Sequence, residues 1–293
     1  MSDFECNVCH KTFVSKMSLE QHGVSRHGQK RKLTASKRKI KWGRIAVGVV
    51  VVAVIAGGLF YLVKANQPAG GGKLGKPIDN SIASSIASVS FSTLEAGDHV
   101  STGGLQAVTG APLTEGGKPE VLYVGADYCP YCASERWPVV VALSKFGTFS
   151  NLKYMLSSPN DVFPDTPTLS FTGATYASQY VSFQAVETQD RTGKTIATLT
   201  SDQQKLLNTY NPRGGIPFVD IANKYVLGGT QYSPQVLQGK TWDQIAAQLN
   251  DPKSDVGRMV GGAAGYLISA ICKATNGQPG DVCSQAAAKL TLQ

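Results

Sequence analysis

The six cysteines of this 293-residue chain fall into three close pairs, and each pair asks for a different chemistry. In VGADYCPYCASERWP, residues 124–138, Cys129 and Cys132 are separated by Pro-Tyr. Two thiols at this spacing can exchange electrons with a substrate disulfide, ligate a metal, or close a small structural loop. A metal site would need further ligands from Cys272, Cys283 or His99, and a cysteine protease would need a histidine, for which only His99 stands outside the N-terminal segment. The second pair opens FECNVCHKTFVSKMSLEQHGVSRH, where Cys6-x2-Cys9 and, twelve residues later, His22-x4-His27 have the ligand spacing of a two-Cys, two-His zinc site. The third pair, ICKATNGQPGDVC, holds Asn-Gly and Pro-Gly turn signals between Cys272 and Cys283. These turns let the chain reverse and join the two sulfurs in a structural disulfide; a second redox pair relaying electrons to Cys129 is the alternative.

The elements around CPYC explain its position. EVLYVGA, from residue 120, is an apolar run of strand length, and ASERWPVVVALSKFG, from residue 133, has a helical pattern, so the cysteines fall where a strand hands over to a helix. A thiol at a helix N-terminus faces unpaired backbone N–H groups and the positive end of the helix dipole, both of which favour thiolate. Cys129 is therefore expected to be the nucleophile. Cys132, one turn further and more buried, is expected to resolve the mixed disulfide. Downstream, LKYMLSS reads as a strand, TSDQQKLLNTY as a helix, RGGIPFVDIANKYVLGG as strand, turn, strand, and both SPQVLQGKTWDQIAAQLND and DVGRMVGGAAGYLISAIC as helical. The last is apolar from Met259 to Ile271, too short to span a bilayer, and reads as a packed core helix. DNSIASSIASVSFSTL is compatible with helix or with partly extended chain.

Charge is distributed unevenly. The formal net charge of +8 arises within residues 1–44, and residues 45–293 are balanced, which excludes a charge argument for nucleic-acid binding by the larger part. The divider, IAVGVVVVAVIAGGLFYLV over 45–63, is uncharged and, as a helix, would be roughly 28 Å long, enough to cross a hydrocarbon core. It is read as a transmembrane helix rather than a cleaved signal. Lys and Arg crowd the stretch from Lys30 to Arg44, which expects a cytoplasmic N-terminus and an extracytoplasmic C-terminal part. The expected organisation is a zinc finger at 1–28, a basic juxtamembrane segment at 29–44, the membrane span at 45–63, a Gly/Pro-rich linker at 64–80, and a folded domain at 81–293.

Two resemblances follow from these motifs. The first 28 residues resemble the C2H2 zinc-finger family, with Phe4, Phe13 and Leu19 in the places of its small core and Zn²⁺ as cofactor. By that resemblance Ser15, Ser18 and Gln21 occupy the base-reading positions; none is the Arg that reads guanine, so a cytoplasmic protein partner is expected ahead of nucleic acid. Residues 119–250 resemble the thioredoxin superfamily, on Ala126-Asp127-Tyr128, CPYC, Gly214-Gly215-Ile216-Pro217-Phe218, the Asn223-Lys224-Tyr225 turn and Gly228-Gly229. The resemblance implies a thioredoxin-like α/β fold, a central mixed sheet flanked by helices, here with extra C-terminal helices. It also implies a cis Pro217 against the cysteine pair and an Ile216 backbone that hydrogen-bonds an extended substrate beside Tyr131. Two departures stand out: Tyr123 occupies the place of the buried acid of typical thioredoxins, and Pro-Tyr replaces their Gly-Pro. The whole also resembles an uncharacterised archaeal family of membrane-tethered thioredoxin-like proteins. The expectation is a membrane-anchored thiol:disulfide oxidoreductase acting on extracytoplasmic thiol or disulfide proteins; the alternative is a non-catalytic binding or sensing protein coupled to the finger.

Overall fold

The computed structural model describes residues 4–29, 71–95 and 105–292. The chain divides into two compact units, Met1–Ala65 and Asn66–Gln293.

In the first unit a hairpin of β1 (Phe4–Glu5) and β2 (Thr12–Phe13) is followed by helix α1 (Lys16–His27). Ser15 caps α1 by accepting from the Ser18 N–H, and Gly28 ends it in the left-handed conformation that glycine adopts without penalty.

The second unit is a mixed α/β structure built on a central mixed sheet flanked by helices. Helices α2 (Asn80–Ala87) and α3 (Phe91–Leu94) precede the sheet, so the Ser-rich segment is helical. The sheet order is β10 (Ser182–Glu187), β5 (Lys118–Gly125), β11 (Phe218–Ile221), β12 (Tyr225–Gly228), β3 (Leu105–Ala107), and the short β4 (Thr114–Glu115) also pairs with β5. β5 runs parallel to β10 and antiparallel to β11, which is antiparallel to β12. Its run Glu120–Gly125 is buried throughout, as expected of a strand covered on both faces.

Helix α4 (Pro130–Leu143) follows β5 and is buried on every side, consistent with its lack of a polar stripe. Two small antiparallel pairs come next, β6 (Gly147–Ser150) with β9 (Thr175–Ser178) and, between them in the chain, β7 (Lys153–Leu156) with β8 (Pro167–Ser170). The β7–β8 pair is tied to α4 and to the later helix at 242–249 by Trp137 Nε1, which donates to Pro167 O at 3.0 Å, and by Trp242 Nε1, which donates to Thr168 O at 2.6 Å. Helices α5 (Ser201–Tyr210), α6 (Trp242–Leu249), α7 (Asp255–Ala274) and α8 (Gly280–Cys283) complete the unit. On α7, Gly261 and Gly265 leave no room for a Cβ against the backbone carbonyls of Thr93 and Leu94, so α3 lies directly on the helix backbone.

Two expectations are corrected. Among the described residues no helix is long and apolar enough to cross a membrane, and the run at 45–63 lies outside the described residues together with the basic segment from residue 30. α7, long enough by length, carries Asp255, Arg258 and Lys273 and buries most of its residues in the core of the second unit. The single-pass membrane localisation, with its cytoplasmic and extracytoplasmic sides, is accordingly withdrawn. The linker expected at 64–80 is not a free tether where it is described. Gly75 N–H donates to Tyr154 O, Ile78 N–H donates to Leu152 O, and Lys73 pairs with Asp79 at 2.9 Å, so residues 71–79 are packed along β7.

Candidate functional site

Strand β5 ends at Gly125 and delivers Ala126-Asp127-Tyr128 to the start of α4, where Cys129 is the N-cap. Its backbone is extended (φ −76°, ψ 123°), and its sulfur accepts from the Cys132 backbone N–H at 3.4 Å. Pro130 follows at the first helical position, where a missing N–H costs nothing because that group has no helical acceptor. Cys129 and Cys132 are free thiols, and both are largely buried: Cys129 is 6% exposed, Cys132 is sealed. The Cys132 thiol, then the backbone N–H groups of Cys132 and Tyr131 and the charge of Arg136, lower the Cys129 pKa to about 7 against the opposing effect of burial. Burial, then the neighbouring Cys129 sulfur, push the Cys132 thiol well above the ordinary range. One sulfur is poised as thiolate and the other is held as thiol.

The far wall of the site is the segment entering β11. The Ile216–Pro217 peptide bond is cis, and the Ile216 carbonyl oxygen lies 3.9 Å from Cys129 Sγ. Tyr131 is 40% exposed and rests edge-on to the Phe163 ring, with centroids 5.9 Å apart. The structure thus sets the cis Ile216–Pro217 segment against Cys129, with Tyr131 and Cys132 on the same first turn of α4; of these side chains only Tyr131 is exposed. His99 lies outside the described residues.

Beneath the pair is a buried charge cluster. Arg136 on α4 donates from Nε and Nη2 to the two carboxylate oxygens of Glu187 on β10, at 2.8 and 2.7 Å, a bidentate pair with no exposed guanidinium surface. Arg136 Nη2 also faces Asp127 Oδ1 at 3.5 Å. Burial raises the Asp127 pKa to about 6, with Arg136 opposing. Tyr123, the residue in the place of the expected acid, is fully buried, and among the described residues its hydroxyl has no hydrogen-bond partner. Carboxylates therefore do lie below the cysteines, contributed by Asp127 and Glu187 rather than by residue 123.

A second buried acid sits further along α4. Glu135 Oε2 accepts from Thr230 Oγ1 at 3.1 Å and from the Gln231 N–H at 3.2 Å, while Oε1 has no partner among the described residues. Burial without a cation raises its pKa to about 8. It clamps the Thr230–Gln231 segment, and the preceding Gly229 N–H donates to Pro217 O at 2.8 Å. Sequence reasoning missed Arg136, Glu187, Asp127 and Glu135. The available signal was the Glu-Arg dipeptide inside an otherwise apolar helical run, since charges there must be paired or neutral.

Cys272 and Cys283 are joined by a disulfide that ties α7 to α8, with Cα atoms 5.5 Å apart. In the first unit, Cys6, Cys9, His22 and His27 bring one ligand atom each to within 4.8 Å of one another, so this group can hold a metal ion. Cys9 Sγ and His22 Nε2 are 3.1 Å apart, and His27 Nε2 is 3.2 Å from His22 Nε2. Such spacing suits a shell of ligand bonds of about 2.0–2.3 Å around one ion. Ser15 and Ser18 hydrogen-bond each other at 2.9 Å, Ser15 capping α1 as well, so two of the three expected base-reading side chains are already engaged.

The model of the family described as Domain of unknown function (DUF929) matches residues 105–273, from β3 to α7. No curated protein and no solved structure matches the chain.

Proposed function

The chain belongs to the family described as Domain of unknown function (DUF929), and from the geometry of its sulfur pair we propose that this member is a thiol:disulfide oxidoreductase working through Cys129 and Cys132. The observation that carries the reading is Cys129 at the N-cap of α4, its sulfur receiving a backbone N–H and its pKa lowered to about 7, beside the Ile216 carbonyl. The path of the chain supports a thioredoxin-like fold. β5, α4, β10, α5, β11, β12 and α6 follow in that order, with β10 parallel to β5 and both β11 and β12 antiparallel to their neighbours.

In the exchange, the Cys129 thiolate attacks one sulfur of a substrate disulfide. The Cys129–substrate S–S bond forms as the substrate's own S–S bond breaks, and the departing sulfur leaves as thiolate. Cys132 then loses its proton and attacks Cys129 Sγ, forming the intramolecular disulfide and releasing the second substrate thiolate. Two electrons pass to the substrate, and the protons of the two protein thiols end on its two sulfurs. The reverse sequence oxidises a dithiol. Ile216 supplies backbone groups to an extended substrate, Tyr131 forms the exposed shoulder of the site, and Pro217 shapes the wall facing Cys129.

In the first unit the two thiolates and two imidazoles suit Zn²⁺, whose ligand preference and tetrahedral geometry they match. Bound there, the ion would stabilise a module too small to fold on apolar burial alone.

A second reading, a non-catalytic binding or sensing protein, draws on the finger's exposed apolar residues Val14 (91% exposed) and Met17 (74%), which favour a protein partner over nucleic acid. The test is a Cys132→Ser full-length chain treated with a peptide disulfide and examined by intact mass. Peptide mapping then locates the adduct, because the exposed Cys9 thiol can also react: exchange chemistry places it on Cys129, and absence of an adduct there favours the second reading.

A further inference from the structure

Between the end of α5 and the sheet edge at β12 and β3 lies a cleft of about 450 Å³ that shares Ile216 with the cysteine site. Val226 and Ile216 give it apolar walls, Gln106, Tyr210 and Asn211 give polar ones, and Arg213 is the one charged residue in its lining. The arginine is displayed on a built turn. Gly214 N–H donates to Asn211 O at 2.8 Å, Gly214 takes a positive φ of 66°, and Asn211 Nδ2 donates to Gly215 O at 2.6 Å, so Asn211 fastens both ends of the turn. Among the described residues no carboxylate forms an ion pair with Arg213. An exposed guanidinium carried on a fixed turn beside a cleft that adjoins the Cys129 site is a selective feature for anionic groups.

Resting on the exchange reading above, we propose that this cleft receives the flank of an extended polypeptide disulfide, and that Arg213 selects chains with a carboxylate close to the reacting cysteine. A strand laid along Ile216 presents its cysteine to Cys129 and its next outward side chains to the cleft. The chemistry is the exchange already described: Cys129 thiolate bonds to the peptide sulfur, and the peptide's former partner leaves as thiolate. Arg213 adds binding and orientation and takes no proton or electron.

Two peptides test this, each with one cysteine in a mixed disulfide with 2-thiopyridine, a neutral leaving group followed by absorbance, and differing only in Asp or Lys two residues from the cysteine. The reduced full-length chain is expected to release thiopyridone from the Asp peptide about threefold to fivefold faster at low ionic strength, the size of a partly exposed ion pair. Arg213→Gln removes that ratio, Arg213→Glu inverts it, and high salt erodes it in the wild type. Equal rates for both peptides in the wild type, or a ratio unmoved by either substitution, overturn the role of Arg213 while leaving exchange intact. Release by the wild type no faster than by Cys129→Ser, which leaves only the other free thiols such as the exposed Cys9, overturns the exchange reading and this proposal with it.

Discussion

Two cysteine pairs of the second unit have opposite surroundings, and under the proposed function the contrast is between an exchange couple and a fastener. Cys272 and Cys283 are bonded to each other across eleven residues of sequence, holding α8 against α7. Cys129 and Cys132 are free thiols three residues apart, one at a helix N-cap with a backbone N–H on its sulfur and the other sealed in the core. The first pair restrains the chain. The second is electrically asymmetric, since the Cys129 pKa is lowered while that of Cys132 is raised, and in the proposed exchange this asymmetry would set the order of attack and resolution.

The largest expected effect breaks the contrast at its reactive end. In a chain carrying Cys6→Ser and Cys9→Ser, which removes the exposed Cys9 thiol, Cys129→Ser should lower the rate of peptide-disulfide exchange by at least about a thousandfold, because the remaining free thiol, Cys132, is sealed in the core. A stopped-time thiol assay on the full chain checks this, and retention of a tenth of the rate would assign the chemistry elsewhere. Breaking the other pair should do the reverse. Cys272→Ser with Cys283→Ser should cost about 2–3 kcal/mol in denaturant unfolding, from the restored freedom of a short loop, with the exchange rate unchanged. A loss of exchange in a chain that remains folded would mean that the second pair relays electrons.

A smaller effect concerns the acid beneath the Pro217 wall. The Glu135 pKa is raised to about 8, above the unfolded carboxyl value of about 4.3, so the folded state holds this proton more tightly than the unfolded state. That contribution is complete below about pH 4.3 and is lost as pH rises through about 8. Glu135→Gln should therefore flatten the fall in stability between pH 5 and pH 9 by about 1–3 kcal/mol, measured as the difference in unfolding free energy at the two ends. Parallel curves for the two proteins would mean that Glu135 is ionised in its buried site. The smallest effect sharpens the reactive side: alkylation of Cys129 should be half-maximal near its pKa of about 7, whereas an ordinary thiol titrates near about 8.5. A midpoint at the ordinary value would show that the helix start does not activate the sulfur.

Much of this contrast was legible before any coordinates. CPYC follows an apolar strand and opens a helical pattern, and both properties are local, as are the finger's ligand spacing and the turns between Cys272 and Cys283. What was hidden depends on residues distant in sequence. Arg136 meets Glu187 across 51 positions, and only the parallel pairing of β5 with β10 brings them together. YVSFQAVETQD, which contains β10, has no clean alternation because the strand is half-covered along most of its length. The apolar run around Glu135 signals that it is buried, but its partners Thr230 and Gln231 stand 95 and 96 positions away and only the fold identifies them. The membrane reading rested on the hydropathy of the run at 45–63, which lies outside the described residues, and no helix among the described residues is long and apolar enough to cross a membrane; α7 is packed in the core, as its short apolar stretch implied. The tether is likewise packed where it is described: besides its local pair with Asp79, Lys73 meets Asp243, which only the placement of α6 brings near.

The central claim is that Cys129 and Cys132 form an exchange couple. The most direct measurement is to equilibrate the full-length chain in graded glutathione buffers and read the oxidation state of this pair by alkylation and mass. A midpoint between about −120 and −230 mV is the expected result and puts the pair among catalysts of disulfide exchange. A midpoint below about −300 mV would contradict the account, because a couple that stable is a structural staple.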